Sequence, residues 1–318
     1  MTGGAGYIGA HVVRLLRDRG HRVVVVDDLS TGGARRVGDC PLAVLDLASD
    51  GARGQLAEVL AAERIEAVIH LAARKSVDES VTRPLWYAEQ NLGGMLALVG
   101  AMRETGVERL VFSSSAAVYG EVGAVPVGEE VPPRPVNPYG QTKLAGEWLI
   151  RAAGRAWGLR QVSLRYFNVA GAADPELGDP SVANLVMIAL DRWRRGEDVV
   201  VHGTDYPTLD GSPVRYYIHV TDLAEAHLAA LDLLERNARH DVFNLGTGRG
   251  NSVLEVLAAL REVADGPRGI VHGPRRAGDP ASVVADPRRA VEELGWRPNR
   301  GLAELARSAW QAASAELG

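Results

Sequence analysis

The sequence predicts an α/β fold: a doubly wound parallel sheet carrying a smaller α/β lobe. Three observations predict it. Short runs rich in valine, isoleucine and leucine alternate along the first half with segments of helical period. Those runs are apolar on successive residues rather than on every second one, the pattern of strands covered on both faces. A glycine-rich turn stands at the entry to the first helical segment.

Taken in order, the first helix (residues 8–20) opens on Gly3, Gly6 and Gly9, spaced GxxGxxG within MTGGAGYIGAH. Glycines there permit a tight turn and close approach of free backbone N–H groups to a pyrophosphate. The strand HRVVVVDD (21–28) ends in Asp27 and Asp28. A carboxylate at that place accepts hydrogen bonds from ribose hydroxyls and repels a 2′-phosphate, which favours NAD over NADP. Strands follow at 41–47, 66–73, 108–115 and 160–168, separated by helix-period segments at 54–65, 87–106 and 139–158. The first domain is therefore expected to span 1–168. Beyond it, loops containing Gly and Pro alternate with shorter elements, as suits a lobe over residues 169–318 that closes on a polar ligand. A strong strand-then-helix signal at 214–235 predicts that a segment near 215–247 packs back on the first domain. In sheets of this kind the glycine turn follows a buried central strand, yet only Met1 and Thr2 precede it here. The first strand is expected to be truncated and the natural start to lie a few residues upstream; the intact mass of the native protein tests this.

Composition narrows the class. Of 318 residues, 46% are hydrophobic, and 35 basic against 40 acidic side chains leave a formal charge of −5. Mild acidity without a basic block argues against nucleic-acid and membrane-surface partners. No apolar run reaches a membrane span, and the single cysteine, Cys40, excludes an internal disulfide and a cysteine metal site. A cytoplasmic protein without a metal is expected. The basic residues are unevenly divided: two lysines, Lys75 and Lys143, against thirty-three arginines.

The strand at 108–115 ends in Ser113, Ser114 and Ser115, and after a proline-rich loop the chain enters a helix as Tyr139-Gly-Gln-Thr-Lys143. Positions i and i+4 share a helical face, so phenol and ammonium can converge on one substrate. A free tyrosine has a pKa near ~10, so half-ionisation near neutrality needs roughly 4 kcal/mol. One cation ~5 Å away contributes about 3 kcal/mol at an effective dielectric of ~20. Lys143 together with an oxidised nicotinamide ring would thus make Tyr139 a general base.

With these residues in view, the chain resembles the extended short-chain dehydrogenase/reductase superfamily, and within it the UDP-glucose (UDP-galactose) 4-epimerase family. The matching strings are TGGAGYIGAH, VVVVDDLS, VIHLAARKSVDES, VFSSSAAVYG, NPYGQTKLAGE, LRYFNVAGA, DYPTLDGSPVRYYIHVTDLAEAH, FNLGTG and PRRAGDPA, running from residue 2 to about 286. The resemblance implies that Tyr139 takes the proton from the sugar 4-hydroxyl while the C4 hydride moves to NAD. It implies that Ser115 hydrogen-bonds the same oxygen and that Lys143 holds the nicotinamide ribose and lowers the tyrosine pKa. Hydride then returns to the other face of the rotated 4-keto sugar. NAD contacts are implied for Gly3, Gly6, Tyr7, Ile8, Gly9, Asp27, Asp28, Asp46, Leu47, Lys75, Asn91, Ser113, Tyr139 and Lys143. The UDP-hexose contacts implied are Ser115, Tyr139, Asn168, Asn184, Arg215, Arg276 and Asp279, and a homodimer through the helices near 84–105 and 140–157 is implied as well. Three positions depart from the family pattern. Tyr216 replaces an acid beside Arg215, which puts the orientation of that arginine in question, and Val169 replaces a proline. Val283 stands where a large tyrosine would size the pocket at the sugar 2-substituent, which would admit N-acetylated sugars. Alternative activities are 4-epimerisation of UDP-GlcNAc/GalNAc or of UDP-glucuronate, or an inactive NAD-binding sensor or scaffold. A 4,6-dehydratase is disfavoured because Ala116 and Ala117 follow Ser115 where it would need acids.

Overall fold

The computed structural model describes residues 1–121, 126–236, 240–266, 268–275, 281–282 and 284–315. In chain order the first half gives α1 (Tyr7–Asp18), β1 (Val25–Asp27), β2 (Leu42–Val44), α2 (Ala52–Ala62), β3 (Val68–His70), α3 (Val77–Thr82), α4 (Pro84–Ala88), α5 (Gly94–Thr105), β4 (Arg109–Ser113), α6 (Pro138–Trp157) and β5 (Arg160–Tyr166). The second half gives β6 (Asn168–Ala170), α7 (Leu185–Arg194), β7 (Val199–His202), β8 (Val214–Arg215), β9 (Tyr217–His219), α8 (Val220–Glu235), β10 (His240–Leu245), β11 (Asn251–Ser252), α9 (Val253–Val263), β12 (Ile270–Gly273), α10 (Arg288–Glu292) and α11 (Leu302–Ala315).

The strands β10, β5, β4 and β3 pair in that order, all parallel. Thr2 bridges onward, to His70 of β3 on one side and Val26 of β1 on the other, and β2 closes the edge beside β1. Chain order reverses at Thr2: the chain runs first to β1 and β2, then crosses back to β3, β4 and β5. That reversal opens a crevice at the carboxyl ends of the strands, where open α/β sheets bind ligands.

Residues 1 and 2 thus occupy the central position that the sequence reading expected to be shortened. Backbone bonds from Thr2 N–H to Ile69 O and from Val26 N–H to Met1 O hold them there. A cavity of about 220 Å³ opens alongside, lined among others by Met1, Leu16, Val23, Val24, Ile65 and Leu231. The predicted strand at 21–28 pairs over residues 25–27, opposite Leu42–Val44 of β2.

Apolar helix faces cover both sides of the sheet. Val12, Leu16, Leu223 and Leu228, from α1 and α8, share a core with Val25, Val111 and Val162. Leu56, Leu98 and Ile150, from α2, α5 and α6, share another with Val26, Leu110 and Phe112. The later elements form a third core, in which Val186, Leu190 and Trp193 of α7 meet Leu257 of α9 and Ala309 of α11. The strand-then-helix signal at 214–235 resolves into β8, β9 and α8, and β10 after it joins the main sheet beside β5. Among the described residues no helix is long and apolar enough to cross a membrane.

Candidate active site

The glycine turn is shaped by space and by backbone angle. Gly3 has φ +71° and a Cβ there would lie 2.5 Å from Ala72 N; at Gly9 it would lie 2.0 Å from Gly3 O. Both glycines are required by the protein's own packing. Gly6 is different: a Cβ there would meet only Gly3 O, at an ordinary 3.5 Å. Gly6 is the N-cap of α1 and brings no side chain to its first turn, whose N–H groups are the donors a diphosphate uses at a helix start. The donor set and the cradle fit a dinucleotide.

Asp27 and Asp28 divide their work. Asp27 is buried, and its two carboxylate oxygens accept from Ala5 N–H and Leu29 N–H, each at 2.9 Å. It therefore holds the glycine turn against β1. Asp28 accepts from Arg74 at 2.7 Å and from the hydroxyl and backbone of Ser30. These hydrogen bonds and the Arg74 cation outweigh desolvation and hold its carboxyl below the usual range. Asp46 turns its carboxylate to Ala48 N–H, Leu47 is buried, Ile8 is half-buried, and Lys75 is exposed. Asn91 accepts from Arg74 N–H at 2.8 Å and donates to Arg74 O and Thr142 Oγ1. Its amide is spent on fixing the chain just before Lys75 to helix α6.

At the end of β4 side chains alternate, as a strand dictates. Ser113, its last residue, turns to His227 of α8, and Ser114, the residue after it, turns to Glu147 of α6. Ser113 Oγ lies 2.7 Å from His227 Nε2, while His227 Nδ1 lies 2.8 Å from Leu223 O. A carbonyl only accepts, so Nδ1 carries the proton and Ser113 donates to Nε2. Burial pulls His227 down to about 4 and keeps it neutral. Ser115 caps the short 3-10 turn Ala116–Val118, accepting from Ala117 N–H at 3.2 Å.

Asn137 caps α6 by accepting from Gly140 N–H, with Pro138 at the first helical position, so Tyr139 and Lys143 enter on a well-formed helix. Lys143 is buried, donates to Ser113 O at 2.7 Å, and sits 5.1 Å from the centre of the Phe112 ring and 5.9 Å from that of Tyr139. Burial pulls its ammonium down to about 7, against the opposing pull of Glu147. Desolvation raises the Tyr139 phenol by more than the Ser115 hydroxyl lowers it. In the chain alone the tyrosine is therefore pushed above its ordinary value, not below it. The lowering expected from sequence requires the second cation, which the nicotinamide ring would bring.

On the substrate side, Asn168 opens β6 and pairs with Tyr217 of β9. Arg215 is half-buried, with Nη1 donating to Val214 O. Tyr216, between β8 and β9 in the chain, is buried, its hydroxyl donating to Ala285 O and its ring 5.6 Å from Phe167. The phenol that replaces the family's acid thus points into the core. Asn184 caps α7, accepting from Met187 N–H and donating to Asp179. Arg276, Asp279 and Val283 lie outside the described residues.

Behind the serines stands a group that the sequence reading missed. Glu147, one turn beyond Lys143, receives Arg165 through Nε at 2.8 Å and Nη2 at 2.5 Å, and Ser114 Oγ at 2.5 Å. Arg165 also donates to Tyr119, which donates to Asn244. The available signal was a charged residue inside LRYFN, a strand read as buried on both faces, which must have a partner.

A parallel doubly wound sheet with serine, tyrosine and lysine gathered beside a glycine turn at the switch point is the arrangement of the extended short-chain dehydrogenases/reductases. Residues 1–246 match the model of the NAD dependent epimerase/dehydratase family, and the chain belongs to that family. It is 42% identical over 305 residues to a UDP-glucose 4-epimerase of Lacticaseibacillus casei, covering 94% of this chain and 91% of that protein. To the UDP-glucose 4-epimerase of Corynebacterium glutamicum it is 42% identical over 320 residues, covering 99% and 95%. Among solved structures, UDP-glucose-4-epimerase from Stenotrophomonas maltophila with bound NAD and formylated UDP-arabinopyranose superposes with a TM-score of 0.94. That chain is 40% identical, with 99% of this chain and 97% of the other covered.

Proposed function

We propose that this chain is a UDP-glucose 4-epimerase that interconverts UDP-galactose and UDP-glucose with NAD as resident cofactor. The observation that carries this is the meeting of Ser115, Tyr139 and Lys143 beside the glycine cradle, in a chain similar over almost its full length to enzymes of that activity. Bound NAD supplies a hydride acceptor and donor at the sugar C4. The chain does the rest. Gly3, Gly6, Tyr7, Ile8 and Gly9 form the diphosphate cradle, and Asp27, Asp28, Asp46, Leu47, Asn91 and Lys75 border the rest of the dinucleotide. Tyr139 takes the proton of the 4-hydroxyl and returns it to the opposite epimer, Ser115 holds that oxygen in line, and Lys143 supplies positive charge to the developing phenolate. Asn168 and Arg215 grip the UDP, with Asn184 placing the start of α7 beside it. Affinity is thereby concentrated in the nucleotide and the hexose is left free to turn.

The division at residue 168 into a cofactor part and a substrate part belongs to the same proposal. So does a homodimer: α3, α4 and α5 each pack on α6 and leave Val81, Leu85, Leu96 and Trp148 exposed. A cytoplasmic setting suits a chain whose one cysteine has no partner within it. The test is incubation of the purified protein with UDP-galactose, followed by NMR. UDP-glucose is expected without accumulation of NADH, and Tyr139→Phe should slow its formation by at least about 100-fold. A fully active Tyr139→Phe variant would overturn the mechanism. Running UDP-GlcNAc and UDP-glucuronate in parallel fixes the sugar preference.

A further inference from the structure

The Glu147–Arg165 pair is difficult to explain as stability. Both side chains are almost wholly buried, 2% and 4% exposed. A buried ion pair loses about as much in desolvation as it regains, and apolar residues of like volume often serve as well or better. Its position says more. Ser114, the residue after β4, and Arg165 of β5 hold the Glu147 carboxylate, and Glu147 rides on α6 one turn beyond Lys143. Two strand ends are thereby fastened to the helix that carries Tyr139 and Lys143. Facing Lys143 are Tyr139 and Glu147 from its own helix, the Ser113 carbonyl and Phe112 ring from β4, and neutral His70 from β3. Glu147 is the one of these that bears a negative charge. Facing Glu147 are Arg165 and Ser114, with Tyr119 beyond.

We propose that Glu147 and Arg165 are positioning residues: the pair fixes α6 to the ends of β4 and β5, and Glu147 keeps Lys143 protonated while that lysine serves the site. The proposal deepens the proposed function and rests on the placing of Lys143 in the site. Lys143 would otherwise shed its proton readily, since burial already opposes its charge. A neutral Lys143 would leave the Tyr139 phenolate without its nearest protein cation.

The two-lysine composition makes the test direct. In the NAD-loaded enzyme grown on lysine labelled with ¹³C at Cε, two side-chain signals are expected, and Lys75→Arg assigns them. In Glu147→Gln the Lys143 titration midpoint should fall by about one pH unit, a tenfold loss of proton affinity, while the Lys75 signal holds still. The alkaline limb of kcat should move down with it, with KM for the UDP-sugar little changed. Glu147→Leu/Arg165→Met removes both charges without leaving either one buried alone. It should keep a cooperative melt and show a fall of the same sign but smaller size, since the Arg165 cation leaves with the carboxylate, so the test survives if the single variant misfolds. A Lys143 midpoint unchanged in a folded variant would overturn the proposal and leave the pair a packing feature. If the midpoint moves but the wild-type enzyme turns over no UDP-sugar, the proposed function fails and the positioning role stands.

Discussion

Lys143 and Arg165 show at the scale of one residue why the two cations are not exchanged here. Arg165 spends its planar fork on both oxygens of Glu147 and a third donor on Tyr119. Lys143 instead places a compact charge against a single carbonyl, Ser113 O, in a space bounded by the Phe112 and Tyr139 rings. A guanidinium there would need room for a fork and partners for five donors. Lys143→Arg should therefore lower kcat by about 100-fold or more although it conserves charge, measured under saturating UDP-galactose. Activity close to wild type would show that charge alone is what the position requires. In a chain with thirty-three arginines, a lysine retained at this place was legible from composition. The partner Glu147 was not, because an acid four residues after a lysine on a helix reads equally well as a solvated pair. Only the tertiary placing of β5 makes it a buried one.

Among the elements, α1 does more than present N–H groups to a diphosphate. Tyr7 donates to Gly171 O, neutral His11 accepts from Ala173 N–H at 3.1 Å, and Arg14 pairs with Asp174 at 2.7 Å. Arg36, just before β2, donates to Leu177 O and Gly178 O. The cofactor helix is thus bonded along its length to the segment joining β6 to α7, the route to Asn184. Tyr7→Phe would strip a buried carbonyl of its donor, at a cost of about 1–3 kcal/mol. The melting temperature should fall by several degrees, read by calorimetry; no change would mean that Gly171 O finds another donor. Gly9→Ala should be far more damaging, since a Cβ 2.0 Å from Gly3 O cannot be accommodated without remaking the turn. The expected outcome is insoluble or NAD-free protein. The turn, the strand ends and the Tyr-x-x-x-Lys helix were all readable in the sequence because each is a local pattern. The bonds from α1 to residues 171–174 were not, since they join positions some 160 residues apart (Tyr7 to Gly171 is 164).

At the scale of the whole molecule, four histidines among the described residues are held neutral by burial: His11, His219 and His227 fall to about 4 and His70 to about 3. Once unfolded, each titrates near 6.5. Between the folded and unfolded values the unfolded chain binds more protons, so stability rises with pH through that window and falls as the pH is lowered from about 6.5 toward 4. Each histidine adds up to about 1.4 kcal/mol per pH unit. Urea unfolding at pH 7 and pH 5 should differ by several kcal/mol; equal stabilities would mean that these rings already carry protons in the fold. The exposed apolar residues on α3 to α6 give a second test at this scale. Trp148→Glu should convert a dimer into a monomer in sedimentation velocity, and unchanged mass would place the interface elsewhere. A parallel, doubly wound sheet was legible from alternation of strand and helix, while the place of β10 beside β5 was not, since pairing across some 80 residues leaves no local pattern.

The three serines ending β4 carry one last consequence. Because Ser114 turns to Glu147 of α6 while Ser113 turns to His227 of α8, the run is not a redundant supply of hydroxyls. One residue gained or lost in β4 would exchange the two faces, pulling Ser115 off the tyrosine and Ser114 off the carboxylate together. The loop between β4 and α6 can therefore change in length without disturbing either face, whereas one residue added to or removed from the strand disturbs both.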